Sequence, residues 1–167
     1  RRPPQRATRW CAELRRMPEI ERKFRVPTLP EHLADGMRLR QAYLAIDGDV
    51  EVRVRDQGGT PVLGIKGGHG VERTEVEVEV DRATFDELWG VPTERRIEKT
   101  RYRVPAGEHT AELDVYAGTL EGLLVVEVEF ASRDEAEAFV PPPWFGDELT
   151  GDRRWSNAAL ATDGRPE

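Results

Sequence analysis

A mainly β (α+β) protein, with eight antiparallel strands able to close into a barrel and a few flanking helices, is what the sequence predicts. From Pro18 onward, polar and apolar residues alternate with period two, the spacing that sends neighbouring side chains to opposite faces of a strand. Turn signals divide the alternating runs: Asp47-Gly48, Gly58-Gly59, Gly67-Gly68, Pro105-Ala106-Gly107 and Gly118. Such short connections imply antiparallel neighbours.

Taken in order, the expected strands are Glu19–Val26, Arg40–Ala45, Val50–Asp56, Val62–Lys66, Val71–Asp81, Arg95–Val104, His109–Ala117 and Leu123–Ala131. Eight strands are enough to close a barrel. Two short amphipathic helices are expected. Asp81–Trp89 follows a strand directly, and Ser132–Phe139 opens on a Ser132 cap with Glu135 three residues on, a capping-box pattern. After Pro141-Pro142-Pro143, the segment Trp144–Asp163 reads as a connector and a last helical turn or two, with Trp144, Phe145 and Trp155 available for packing. Residues 1–17 carry six arginines and little periodicity, and are expected to be a poorly ordered basic extension ahead of a domain spanning 18–163.

Length and composition narrow the function. At 167 residues the chain suits one domain. Charged residues make up 34% and hydrophobic ones 38%, too apolar for a disordered chain but unusually ionic for a globular one. A net charge of −7 argues against general nucleic-acid binding, which needs a basic surface toward phosphate, yet leaves room for a local basic cavity. The single cysteine, Cys11, excludes an internal disulfide framework and suits a reducing cytoplasm. No apolar run approaches the roughly 20 residues that span a bilayer. The expected location is cytoplasmic, with no membrane partner; a homodimer is an allowed assembly state.

The ionic residues gather on one face of most strands. Glu19, Glu21, Lys23 and Arg25 alternate with Ile20 and Phe24, with Arg22 interrupting the apolar side. Arg53 and Arg55 share a face, as do Arg73, Glu75, Glu77 and Glu79; Lys99, Arg101 and Arg103; Glu112 and Asp114; and Glu127 and Glu129. One reading is an ordinary sheet with a solvated charged face. The other is a closed barrel whose Val-rich face packs against helices while the charges line a wet interior. Such a lining requires both signs of charge, or a ligand that supplies the missing one. Lys23, Arg53, Arg55, Lys66, Arg73, Lys99 and Arg101 exceed what a structural lining requires, which points to a polyanionic guest. Carboxylates beside such a cluster suit a hard divalent cation such as Mg²⁺ or Mn²⁺.

Glu19-Ile20-Glu21-Arg22-Lys23 reproduces the ExExK signature of the CYTH superfamily, the triphosphate tunnel metalloenzymes, and the rest of the chain resembles its compact bacterial members in order. The matching segments are Arg53-Val54-Arg55, Ile65-Lys66, Arg73-Thr74-Glu75-Val76-Glu77, Glu98-Lys99-Thr100-Arg101-Tyr102, Glu112–Gly118, Leu124–Phe130 and Pro141–Thr150. Gly64 departs from a common threonine, Ala42 from a common glycine, and Arg154-Trp155 from a common Arg-Tyr. The resemblance implies an eight-stranded antiparallel tunnel that binds a linear triphosphate with Mg²⁺ or Mn²⁺ and hydrolyses its terminal phosphoanhydride. It implies metal binding by Glu19, Glu21, Glu127 and Glu129. Lys23, Arg53, Arg55, Lys66, Arg73, Lys99 and Arg101 would clamp phosphate, and Glu75, Glu77 and Asp114 would support as acidic tunnel residues. Tyr43 matches a tyrosine that can pair with the motif lysine, making Lys23 and Tyr43 the implied catalytic pair.

Inorganic tripolyphosphate is the expected substrate, because the chain carries no added base-recognition segment, and direct attack by water is the expected route. The alternatives are a nucleoside or thiamine triphosphatase, a class IV adenylate cyclase-like enzyme, and a catalytically silent polyphosphate-binding module. No side-chain nucleophile stands out: Cys11 precedes the domain, and Ser132, Ser156, His32, His69 and His109 fit capping or surface positions.

Overall fold

The computed structural model describes residues 20–67 and 74–167. Cys11, Glu19, His69, Arg73, the Gly67-Gly68 turn and the start of the fifth expected strand therefore lie outside the described residues or run into the gap, as does the basic extension.

Eight strands form one antiparallel sheet: β1 (Ile20–Arg25), β2 (Met37–Asp47), β3 (Val50–Gln57), β4 (Thr60–Gly67), β5 (Thr74–Glu79), β6 (Arg96–Ala106), β7 (His109–Tyr116) and β8 (Leu124–Phe130). Their order in space is β1-β8-β7-β6-β2-β3-β4-β5. The expected eight-stranded antiparallel architecture is present, but among the described residues the hydrogen-bond ladder does not close into a complete barrel. Among the described residues β1 and β5 are its two ends. The outer edge of β1 is instead taken by residues 146–150: Arg25 N–H donates to the Asp147 carbonyl at 2.8 Å and Leu149 N–H to the Lys23 carbonyl at 2.8 Å. That strap satisfies edge groups that would otherwise template a further strand.

Strand β2 is longer than expected, and its pattern explains why. Leu39, Gln41 and Tyr43 lie on the face shared with Lys99 and Arg55, while Arg38 and Arg40 point to the opposite face. The usual charge-inside alternation is thus inverted on this strand. A bulge between Tyr43 and Ala45 then shifts the register.

The outer face carries two apolar cores. Phe24, Leu113, Val126, Val128 and Phe130 pack with Ala136, Phe139 and Phe145 beneath helix α2 (Arg133–Ala138). Ala42 and Val54 pack under Phe85 of helix α1 (Arg82–Trp89), whose N-cap Asp81 accepts from Thr84 N–H at 2.7 Å. Ser132 caps α2 as expected, accepting from Glu135 N–H at 3.1 Å, but Glu135 reaches back to Ala131 N–H rather than to the cap residue. Arg22, which broke the apolar alternation, lies on this outer face. It forks onto both Glu148 oxygens at 2.8 Å and donates to the Ala136 and Phe139 carbonyls at 3.1 and 3.0 Å, filling helix-end acceptors.

A third core lies on the inner face. Ile97, Tyr116 and Val125 meet Leu149, Trp155 and Leu160, so the C-terminal segment with helix α3 (Asn157–Asp163) covers one end of the charged face.

Candidate active site

Cross-strand register puts the sequence-predicted residues on one face. Lys23 stands opposite Glu127 and Glu21 opposite Glu129. Glu127 aligns with Glu112, which aligns with Arg103, and Asp114 with Arg101. Across β2, Tyr43 faces Arg53 and Gln41 faces Arg55; beyond them Gly64 faces Arg53 and Glu77, and Lys66 faces Glu75. A strict period of two makes this possible, since a one-residue slip on any strand would turn its charges outward.

The ionic groups form two networks. On β3–β5, an Arg53 amino group (Nη2) donates to Glu75 at 2.8 Å and to Glu77 at 3.3 Å, Arg55 donates to the same Glu77 oxygen at 2.7 Å, and Lys66 lies 3.6 Å from Glu75. Burial and the neighbouring Arg53 push the Arg55 guanidinium below its usual value, and its Nε has no hydrogen-bond partner. The Arg53 side chain crosses β4 over Gly64, where a Cβ would meet the Arg53 Nε in ordinary contact at 3.4 Å.

On β1 and β6–β8 the network is tighter. Arg101 forks onto Asp114, Nε to Oδ1 and Nη2 to Oδ2, both at 2.7 Å, and also pairs with Glu112 and, at 3.3 Å, with Glu127. Lys99 donates to Asp114 Oδ2 at 2.5 Å. Lys99 is 4% exposed and Asp114 1%, so this pair is withdrawn from solvent. Burial alone would raise the Asp114 carboxyl, but Lys99 and Arg101 hold it below the usual range. Burial likewise pushes Lys99 below its ordinary value against the pull of Asp114.

Lys23 donates to the Trp155 carbonyl at 3.4 Å and pairs with Glu127 at 2.8 Å. Burial pulls its amine down, yet Glu127, with Glu21 and Asp114, outweighs that and holds it above the ordinary lysine value. The buried Tyr43 hydroxyl accepts from Gln41 at 3.1 Å, and burial pushes the phenol up to about 12. Among the described residues no hydrogen bond joins Lys23 to Tyr43, the implied catalytic pair.

Glu21 and Glu129 are exposed carboxylates facing each other across β1 and β8, with Lys23 close enough to Glu21 to be raised by it. Glu127 follows on the same face. Their oxygen donors suit a hard divalent ion, although among the described residues no three carboxylates already converge as a cage. Glu19, the fourth implied ligand, and Arg73, an implied clamp, lie outside the described residues.

The CYTH domain model matches residues 17–149, most of the chain. The chain belongs to the CYTH family. It is 48% identical over 148 residues to an inorganic triphosphatase of Nitrosomonas europaea, covering 87% of this chain and 97% of that protein. An inorganic triphosphatase of Acetivibrio thermocellus is 38% identical over 145 residues, covering 85% and 92%. A crystal structure of an inorganic triphosphatase superposes with a TM-score of 0.69 at 45% identity, covering 86% of this chain and 93% of that one. Membership of the CYTH family implies a divalent metal. None of the described helices is long and apolar enough to cross a membrane.

Sequence reasoning placed the charged residues but passed over three polar partners. Gln41 holds Tyr43, Asn157 accepts from Lys99 at 3.4 Å, and Tyr116 donates to that Asn157 oxygen at 2.8 Å. Tyr116 was within reach of the pattern, two residues after Asp114 on the same face; Asn157 carried no signal beyond the Ser156 cap before it.

Proposed function

We propose that this CYTH protein hydrolyses the terminal phosphoanhydride of inorganic tripolyphosphate by direct attack of water, with Mg²⁺ or Mn²⁺ as the metal. The observation that carries the reading is the convergence of Lys23, Arg53, Arg55, Lys66 and Arg101 on one sheet face, each already paired with a carboxylate. A triphosphate that displaces those acids gains several cationic contacts at once. The identity to inorganic triphosphatases supports the choice of substrate class.

Phosphoryl transfer needs positioning and charge neutralisation more than covalent help. Arg53 and Arg55, close together on β3, offer guanidinium donors to phosphate oxygens, and Arg101, whose Nε and Nη2 are held by Asp114, offers Nη1 from β6 once Glu112 is displaced. Glu21, Glu127 and Glu129, with Glu19, would hold the metal, which when bound supplies Lewis-acid polarisation and a template for the phosphate oxygens. Lys23, held charged by Glu127, acts as a phosphate contact, and Tyr43 stays protonated as a hydrogen-bond donor.

A panel of triphosphates assayed for released phosphate tests the assignment. Tripolyphosphate should be turned over faster than ATP or thiamine triphosphate, and chelation should abolish release. Equal or greater turnover of either organic substrate would overturn the inorganic assignment, and no turnover at all would leave a polyphosphate-binding module. Lys23→Arg addresses the base: the alkaline limb of the pH–rate profile should survive it, whereas loss of that limb would make Lys23 the general base.

A further inference from the structure

Arg38 and Arg40 of β2 leave the charged face and point to the outer side of the sheet, while Leu39 and Gln41 of the same strand face the other way. There the two arginines line a cavity of about 320 Å³ with Asp56 and the turn residues Gly58 and Gly59. Both glycines have positive φ and carry no side chain that could fill the space.

Arg40 is fixed there without being hydrogen-bonded. Its guanidinium lies over the rings of Phe85 and Trp89, 4.9 and 5.1 Å from their centroids, which holds its plane. The neighbouring acids are committed elsewhere. Asp56 Oδ2 accepts from Arg82 at 2.7 Å and Oδ1 from the Gly59 N–H at 3.0 Å, while the Arg40 Nε stays 3.6 Å from Oδ2. Arg82 holds that carboxyl below its usual range, so it stays ionised. Glu98, across β6 from Arg40, pairs instead with Arg38 at 3.0 Å. Among the described residues the Arg40 side chain makes no hydrogen bond, and 31% of it is exposed.

We propose that this outer cavity binds a phosphate dianion, either free or as the head of a phosphomonoester, at a site separate from the charged face. Arg40 supplies a guanidinium whose freedom is already restricted by two rings, so little further ordering is needed when an anion binds. Arg38 reaches the same cavity from two positions along the strand. A carboxylate would match one of these cations; a tetrahedral dianion offers oxygens to both. Arg38 must release Glu98, but that pair is 75% and 44% exposed and costs little to break.

The test titrates inorganic phosphate into the ¹⁵N-labelled full chain at constant ionic strength, with chloride as the control anion, and reads the tryptophan indole NMR signals. Of the four tryptophans, Trp89 touches Arg40, whereas the Trp155 carbonyl accepts from Lys23, so the outer cavity and the charged face report separately. Trp89→Phe assigns the signal. The Trp89 indole should shift saturably with a Kd of about a millimolar, the scale for two charge-assisted hydrogen bonds. Arg40→Gln should weaken binding about tenfold and Arg38→Gln about threefold. Arg38 is 75% exposed, so its variant carries the test if Arg40→Gln fails to fold. Arg55→Gln, on the charged face, should leave the Trp89 titration unchanged. Glycerol phosphate separates the two sources: binding as tight as that of the free ion assigns a phosphoryl group on a larger molecule, and weaker binding assigns orthophosphate itself. A Trp89 signal that fails to move, moves alike with chloride, keeps its full response in folded Arg38→Gln and Arg40→Gln, or weakens as much in Arg55→Gln would overturn the site. Failure to hydrolyse tripolyphosphate would overturn the proposed function and leave this site standing.

Discussion

On β6, β7 and β8, Lys99 and Arg101 are locked onto Asp114, a carboxylate whose side chain is 1% exposed, whereas on β3, β4 and β5 Arg53 and Arg55 share Glu75 and Glu77, which keep 25% and 36% of their surface. The first network is capped by the C-terminal segment and commits Lys99 and two Arg101 nitrogens to Asp114; in the second, Arg55 keeps an unpartnered Nε beside a like-charged neighbour. Residues of the same chemical type thus do different work. A buried carboxylate with two cations fixes geometry, while half-exposed carboxylates hold cations that an incoming anion can recruit.

Asp114→Asn should break the tight half outright. It removes the counter-charge of two cations in a site closed to water, so urea unfolding should show a loss of about 3–5 kcal/mol, the cost of stripping one partner from a buried pair. The pH dependence follows from the sign of the shift. The Asp114 carboxyl is held below its usual value in the folded protein, so its contribution is complete above about pH 4, where the unfolded carboxylate is ionised, and fades as pH falls through the depressed folded value. Wild type should lose stability on that acid limb, and Asp114→Asn should flatten it. An unchanged limb would mean that Asp114 does not carry it.

Arg55→Gln probes the open half and should behave in the opposite way. Among the described residues its side chain donates to Glu77, and it sits against Arg53. Stability should change by less than about 1 kcal/mol, while kcat/KM for tripolyphosphate should fall about a hundredfold, the scale for losing one oriented donor to developing charge. A large stability loss with intact kinetics would make this half structural as well.

Glu129→Gln sharpens the comparison at the metal. Opposite Glu21 on exposed strand positions, it should need about tenfold more metal for half-maximal activity, with the fold retained. Unchanged metal dependence in both Glu129→Gln and Glu127→Gln would remove these residues from the metal site.

Much of this division was hidden from the sequence, though the charged face itself was not. Period two on β1, β3, β5, β7 and β8 assigns Lys23, Arg53, Glu77, Asp114 and Glu127 to one side whatever the neighbouring strands are, because side-chain direction is local to a strand. The inversion on β2 and the bulge after Tyr43 required knowing the partner strand. Burial was illegible for the same reason. Nothing in Glu98-Lys99-Thr100-Arg101 marks Lys99 as more withdrawn from solvent than Arg101 until Asp114 and, 58 positions from Lys99, Asn157 are placed against it. The open ladder was likewise invisible, since residues 146–150 lack the alternation of a strand and bind β1 through main-chain atoms.

The smallest expected effect lies with Glu77, and its direction is the informative part. Glu77 Oε1 accepts from Arg55 at 2.7 Å and from Arg53 at 3.3 Å, so one carboxylate occupies the two cations best placed to hold phosphate. At 36% side-chain exposure its pairs are screened by water, and losing them should cost little stability. Glu77→Gln keeps the shape and an acceptor oxygen while removing the charge that competes with phosphate. Tripolyphosphate should then bind about two- to threefold more tightly in a calorimetric titration, at the low end of what a rim charge contributes, with the gain largest at low salt. The same substitution in the closed half, Glu127→Gln, should not tighten binding, because Glu127 pairs with Lys23 and Arg101 beside the metal-type glutamates. Weaker binding by Glu77→Gln would show that Glu77 orients the arginines, and the open half would then be as preorganised as its neighbour.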